Sequence, residues 1–228
     1  MTKSELIARQ SRRPSGWLGE IVARVMAFET ARANRIAVEL LAVRPGEVVL
    51  EIGCGHGRTL ARIAEGACDY LAGIDASEVM VRLARRRMRR WIAAGHADVS
   101  LASSTKIPHS DGRFDAALAV HVVYFWNEPW ADLSEIRRVL RPGGRVLLGY
   151  RPRDEQLLAE LPATVYALRS VEEIEGLLEE SGFVETRSTE RSIGKSRYAF
   201  TEARCPAARH LADDAPDPPR LDPLHSPY

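Results

Sequence analysis

Apolar residues recur along this chain in two rhythms, and the switch between them predicts an alternating α/β order. From residue 17 to 42 they fall at helical spacing: Trp17, Ile21, Val25 and Met26, then Ile36, Leu40 and Leu41. Val48, Val49 and Leu50 then form a short continuous run ending at Glu51, and residues 70 to 74 form another ending at Asp75. Runs of that length read as parallel strands buried on both faces. Residues 116 to 120 and 146 to 149 repeat the pattern. Between them Leu133, Ile136, Val139 and Leu140 mark a helix. It is stopped by Arg141-Pro142-Gly143-Gly144-Arg145, because glycine takes a left-handed cap and proline cannot continue the helix. Residues 171 to 181 predict one more helix, ended by Gly182. Residues 183 to 190 and 196 to 203 alternate like two antiparallel strands around Ile193-Gly194. Residues 1 to 14 are polar and read as a flexible N-terminus. Residues 206 to 228, rich in proline, aspartate and alanine, read as a disordered tail. One domain over residues 15 to 205 is expected, with residues 15 to 44 as capping helices.

The densest chemistry lies where the first strand ends. Glu51 is followed by Gly53, Gly55 and Gly57 at alternate positions, and a helix start follows at Arg58. Only a residue without Cβ tolerates a left-handed turn and close backbone approach, so the loop is shaped for a ligand at a helix N-terminus. A dinucleotide fingerprint needs Gly-x-Gly-x-x-Gly. Its third glycine would fall on position 58, which is arginine. A pyrophosphate is therefore a poor fit, and a cofactor with no phosphate to hold is favoured. Asp75 lies at the end of the second strand, roughly 20 residues beyond the loop, where a carboxylate accepts from two ribose hydroxyls. Asp75 alone also reads as a helix N-cap; Ser77 in that role would free it for the ligand.

This set resembles the class I S-adenosylmethionine (SAM) dependent methyltransferases. It is carried by Glu51-x-Gly53-x-Gly55-x-Gly57, Asp75, residues 107 to 115 (Ile-Pro-His-Ser-Asp-Gly-Arg-Phe-Asp) and residues 138 to 145 (Arg-Val-Leu-Arg-Pro-Gly-Gly-Arg). It covers roughly residues 46 to 150. The nearest subgroup is the ubiquinone and menaquinone C-methyltransferase-like proteins (methyltransferase type 11). The resemblance implies a Rossmann-like, doubly wound seven-stranded sheet: five parallel strands plus the C-terminal antiparallel hairpin, with N-terminal capping helices. It implies SAM held by Glu51, Gly53, Cys54, Gly55, Gly57, Asp75, Ala76, Ser103, Ser104 and His121. The family's Asp-Ala at the adenine is here Ser103-Ser104, and its frequent Asn after the fourth strand is His121. The adenine contact then falls to a serine hydroxyl or to the Ser104 backbone N–H.

SAM carries an electrophilic methyl group, so the protein must align a nucleophile, exclude water and sometimes take a proton. His121 and Tyr124 are the catalytic candidates. His121 either acts as a base, with a pKa suited to neutrality, or hydrogen-bonds the methionine end of SAM or a backbone carbonyl. Tyr124, Trp126, Tyr150 and Arg151 are expected to line the substrate pocket, with Trp17 and Phe28 closing it as a lid or simply packing helix on helix. A planar or apolar small-molecule acceptor follows from these aromatics. RNA or protein methylation, and SAM binding without transfer, are the other readings.

Composition narrows the setting. A net charge of +1 gives no overall pull towards nucleic acid or an anionic membrane. Arg82, Arg85, Arg86, Arg87, Arg89 and Arg90 crowd one helix and read as an exposed basic face. No run of 18 apolar residues and no N-terminal apolar core are present, so a cytoplasmic protein is expected. Cys54, Cys68 and Cys205 suggest neither a disulfide framework nor a metal site, and His56, His96 and His109 lack metal-ligand spacing. A monomer or homodimer is expected, with no metal.

Overall fold

The computed structural model describes Ala8 and residues 30–66 and 68–207. In chain order the elements are α1 (Ala31–Leu41), β1 (Val48–Ile52), α2 (Arg58–Ala64), β2 (Tyr70–Asp75), α3 (Glu78–Ala93), β3 (Ala97–Leu101) and β4 (Phe114–Val120). A 3-10 turn (Val123–Phe125) leads into α4 (Pro129–Val139), β5 (Leu140–Tyr150), α5 (Glu155–Glu160), α6 (Val171–Glu180), β6 (Val184–Ile193) and β7 (Ser196–Arg204). The expected lid residues Trp17 and Phe28, the N-terminal stretch before Thr30 other than Ala8, and the tail from residue 208 lie outside the described residues.

The strands form one sheet in the order β3-β2-β1-β4-β5-β7-β6. β1 to β5 run parallel, and β7 runs antiparallel to both β5 and β6. Strand order reverses between β1 and β4, so their C-terminal ends flank the crevice where ligands bind in such sheets. The alternation of side chains gives two cores. One face packs Val49, Leu118 and Leu147 against α1, α2 and α3. The other packs Leu50, Ala117 and Leu148 against α4 and α6. Strands buried on both faces explain the unbroken apolar runs of the sequence.

The N-terminal ends of the strands are held by polar contacts. Arg145 on β5 forks onto both carboxylate oxygens of Glu47, at 2.7 and 2.9 Å, and donates to the Leu41 carbonyl at the end of α1. Asp115 accepts from the Val48 N–H at 2.7 Å and pairs with Arg141 at 2.6 Å.

The helix stop before β5 differs from the sequence expectation. The chain turns extended at Leu140 (ψ 138°), with no left-handed glycine cap on α4. Leu140 already pairs with Phe114, and the ladder shifts register before resuming at Ala116–Arg145. The glycines serve this irregularity instead. Gly143 has φ +75° and donates to the Cys205 carbonyl at 3.2 Å. A Cβ on Gly144 would lie 2.8 Å from the Arg141 carbonyl oxygen.

Candidate active site

The glycine loop crosses the C-terminal end of β1 against the end of β4. Gly53 has φ +67°, and a Cβ there would lie 2.5 Å from Val122 Cγ2. Gly57 packs α2 onto α3, its missing Cβ 3.0 Å from the Ala84 Cα. Gly55 differs: it has φ +53° and open space where a Cβ would be. The backbone there is bare to a ligand.

Two hydrogen bonds tie this loop to β2. Cys54 N–H donates to the Ile74 carbonyl at 3.0 Å, and Gly55 N–H donates to Asp75 Oδ2 at 2.9 Å. The other carboxylate oxygen of Asp75 accepts from the Ser77 N–H at 2.8 Å. Ser77 is the cap of α3, its hydroxyl accepting from the Met80 N–H. Asp75 is nevertheless not a free acid. Each oxygen holds one backbone donor and keeps a lone pair for a further one. Burial raises its pKa, and the two N–H bonds counter the shift. Ala76 beside it is exposed. Cys54 is buried with its thiol pushed well up by desolvation, which makes it a small packing residue. Glu51 is 4% exposed, with one carboxylate oxygen unpartnered. Its pKa is raised well above the usual range by burial and by the nearby Asp75 charge.

Ser103 and Ser104 lie beyond the end of β3. The Ser103 hydroxyl is engaged with Thr105 at 3.0 Å. The Ser104 hydroxyl donates to Asp132, a buried carboxylate on α4. Neither hydroxyl is idle: each already has a protein partner. Asp132 was not singled out from sequence; it lies 28 positions from its partner.

His121 ends β4 in a left-handed conformation, φ +59°, with its N–H on the Gly149 carbonyl at 2.8 Å. A non-glycine residue in that region stores strain, which is common at functional sites. Its Nδ1 lies 3.2 Å from the Tyr124 hydroxyl, and its ring meets Tyr198 edge-on at 5.6 Å. Nε2 is buried with no partner. Desolvation and the Arg151 charge push the imidazole down to about 4, so it stays neutral near pH 7.

Tyr124 is 7% exposed. Its hydroxyl accepts from the Arg151 N–H and reaches His121 Nδ1, so it bridges the ends of β4 and β5. Burial pushes its own pKa well up. Trp126 is buried with its indole N–H unpartnered. The chain between α5 and α6 straps this aromatic turn down. Ala167 N–H donates to the Tyr124 carbonyl at 2.8 Å, and Arg169 donates to the carbonyls of Val123 and Trp126. Tyr166 packs its ring 5.2 Å from that of Phe125. Tyr166, Arg169 and Tyr198 were missed from sequence, because each reaches the site across a long chain separation. Tyr150 is placed differently from the expectation. Its ring lies in the core under α4 and α6, and its hydroxyl pairs with Thr201 at 2.9 Å. Arg151 follows it with Nε buried and unpartnered. Among the described residues no group of three or more His, Cys, Asp or Glu side chains is placed to hold a metal ion.

Comparison with known proteins bears out the resemblance. A family model described as a methyltransferase domain matches residues 50–148, which contain the glycine loop, Asp75 and the residues around His121. Residues 50–148 are thus a methyltransferase domain, and the chain is similar to the class I SAM-dependent methyltransferases. An O-methyltransferase of Pyrenophora dematioidea is 29% identical over 68% of this methyltransferase chain and 60% of its own. The 27-O-demethylrifamycin SV methyltransferase of Amycolatopsis mediterranei is 28% identical over 76% of this chain and 67% of its own. The chain thus spans about three fifths to two thirds of these relatives. The crystal structure of the [4+2]-cyclase SpnF superposes with a TM-score of 0.66 at 24% identity, covering 76% of this chain and 81% of that one. That likeness is one of fold.

The residues of this methyltransferase fit SAM. Gly55 presents bare backbone, Asp75 keeps two acceptor positions, and Glu51 and His121 hold unpartnered polar atoms at the same edge of the sheet. No helix among the described residues is long and apolar enough to cross a membrane.

Proposed function

We propose that this chain transfers a methyl group from SAM to a hydroxyl of a planar or apolar small molecule. The observation that carries the reading is His121: a neutral imidazole in a left-handed backbone, with a buried, partnerless Nε2 at the C-terminal end of β4. SAM supplies a methyl group already activated by its sulfonium. The chain's own task is to bind, orient and deprotonate.

Glycines 53 to 57 and Asp75 hold the cofactor, with Asp75 accepting from the ribose hydroxyls while its backbone bonds fix the loop. Tyr124, strapped by Ala167, and Trp126, strapped by Arg169, wall the acceptor side. With the imidazole proton on Nδ1, the Tyr124 oxygen accepts it beside the Arg151 N–H. Nε2 is then a free lone pair for the acceptor's proton. Two bonds on one phenolic oxygen lie within its acceptor capacity. A positioned base contributes about 10²–10⁴-fold when its pKa lies near the working pH, and a value of about 4, below the near-neutral one expected from the sequence, places His121 at the low end of that range. The O-methyltransferases among the relatives support oxygen as the acceptor atom.

The test is transfer from methyl-labelled SAM to a panel of phenols, quinols and apolar alcohols, with calorimetric titration of SAM and, as control, NADH. Turnover of a hydroxylated acceptor that falls by about 10²-fold or more in His121→Gln, with SAM affinity retained, supports the reading. SAM binding without turnover of any acceptor overturns methyl transfer. Turnover indifferent to His121→Gln overturns the base.

A further inference from the structure

A second concavity lies away from the proposed methyl-transfer crevice, between α1, α2 and α3, with a volume of about 550 Å³. That falls within the range of small-ligand sites, about 300–1,000 Å³. Among the described residues its walls carry five guanidinium groups, those of Arg32, Arg35, Arg58, Arg62 and Arg87, against one carboxylate, Glu65. Five like charges around one hollow repel each other, and the effect is visible in its surroundings. Burial first, and then the Arg58 charge, lowers the proton affinity of Arg87; burial, with smaller contributions from Arg87 and Arg58, pushes His56 down to about 4. Arg32 and Arg62 form no ion pair with any described residue. Arg35 has only the exposed Glu39, at 3.9 Å. In the same wall the carboxamide oxygen of Asn34 is buried without a partner. Nothing in the methyl-transfer chemistry uses these groups.

We propose that this hollow binds the phosphate groups of a small phosphorylated molecule, with a diphosphate as the minimal ligand. Planar guanidinium forks match phosphoryl oxygens in pairs, which is why arginine rather than lysine lines such sites. A bound dianion relieves the mutual repulsion of the cluster. The concavity favours a compact anion over a nucleic-acid backbone, which needs an extended track. The hollow is joined to the cofactor loop: Arg58 follows Gly57 directly, and Arg87 donates to the His56 carbonyl at 3.0 Å. Occupation of the hollow therefore bears on the loop that faces SAM.

The experiment is calorimetric titration of the full chain with inorganic pyrophosphate at low salt. Arg32→Ala and Arg62→Ala probe the hollow, and Arg89→Ala on the exposed side of α3 serves as control. All three side chains are exposed, so folding is retained, and a thermal melt verifies it. Saturable one-to-one binding is expected. It weakens by about tenfold in each hollow variant, the loss of one charge-assisted contact, and is unchanged in Arg89→Ala. No saturable binding at millimolar pyrophosphate overturns the proposal. So does equal weakening by Arg89→Ala, which reports a diffuse basic face. Affinity for single-stranded RNA that climbs with its length, while pyrophosphate does not bind, also overturns it in favour of a nucleic-acid surface.

Discussion

The Tyr124 hydroxyl stands 3.2 Å from Nδ1 of His121 and also receives the Arg151 N–H, so one phenolic oxygen joins the ends of β4 and β5. The His121 ring is thereby held from the side away from Nε2. In the proposed reaction Tyr124 therefore acts through His121, as a positioning residue.

Tyr124→Phe keeps the ring packing and removes this bridge. It leaves a buried N–H at Arg151 and an unpaired Nδ1, at a stability cost of about 1–3 kcal/mol. Turnover is expected to fall about tenfold while acceptor KM stays near the wild-type value, since the aromatic wall is intact. Steady-state kinetics on the acceptor found in the labelling screen will show it. A change confined to KM places Tyr124 in binding alone.

Gly53 meets Val122 where the cofactor loop touches the end of β4. Gly53→Ala adds a left-handed alanine, about 1–2 kcal/mol, and an overlap with the Val122 methyl worth about 1–3 kcal/mol. A lower melting temperature and weaker SAM binding follow. Adding Val122→Ala removes the overlap but leaves the backbone strain, so about half of the stability loss should return. No recovery in the double variant shows that the overlap is not the cause.

Asp75 holds the loop through Gly55 and Ser77, and in the proposed site it also accepts from the ribose hydroxyls. Asp75→Ala should weaken SAM by about 10- to 150-fold, equivalent to about 1.5–3 kcal/mol for bonds to a charged acceptor. Asp75→Asn keeps one acceptor oxygen and should fall between. Calorimetry at equal ionic strength separates the three proteins, and equal affinity in all of them removes Asp75 from the ribose.

The imidazole of His121 titrates near 4 when folded and near 6.5 when unfolded. Between these values the unfolded chain binds more protons, so acid favours unfolding. The stability this neutral imidazole lends is full above pH 6.5 and is lost as pH falls towards 4. Glu51 has the opposite sign, because its folded carboxyl holds its proton more tightly than the unfolded one. That contribution is shared by wild type and His121→Gln and cancels in their difference. Urea unfolding of the pair at pH 7.5 and 4.5 should show the wild type losing about 1–3 kcal/mol relative to the variant. A constant difference across this range shows that His121 is not held neutral by the fold.

The meeting of the glycine loop with Asp75 was readable because its parts lie close in the chain. The glycines, Asp75 and Ser77 all fall between residues 53 and 77, and local spacing alone implies their meeting. The acceptor half is built by distant contacts. Arg169 reaches Val123 across 46 positions, and Tyr198 meets a histidine 77 positions away. No local pattern encodes either. Tyr150 was placed at the right edge but facing the wrong way. Alternation along β5 puts Val146, Leu148 and Tyr150 on one face, and that face is core. The period of two was present in the sequence and outweighs proximity to the crevice. The adenine side shows a different limit: Ser104 in place of alanine makes sense only beside Asp132, a partner on another helix.

The strap between α5 and α6 grips the aromatic turn almost wholly through main-chain carbonyls, those of Val123, Tyr124 and Trp126. Such a grip is blind to which side chains the turn displays. Trp126, which the strap holds through its carbonyl, can therefore be exchanged without unfastening that bond and without touching the glycine loop, whereas Tyr124 is fixed by its bridge to His121 and Arg151 and Phe125 by the Tyr166 ring. On the proposed reading, the fold thereby separates the inheritance of a methyl donor from the choice of what receives the methyl group.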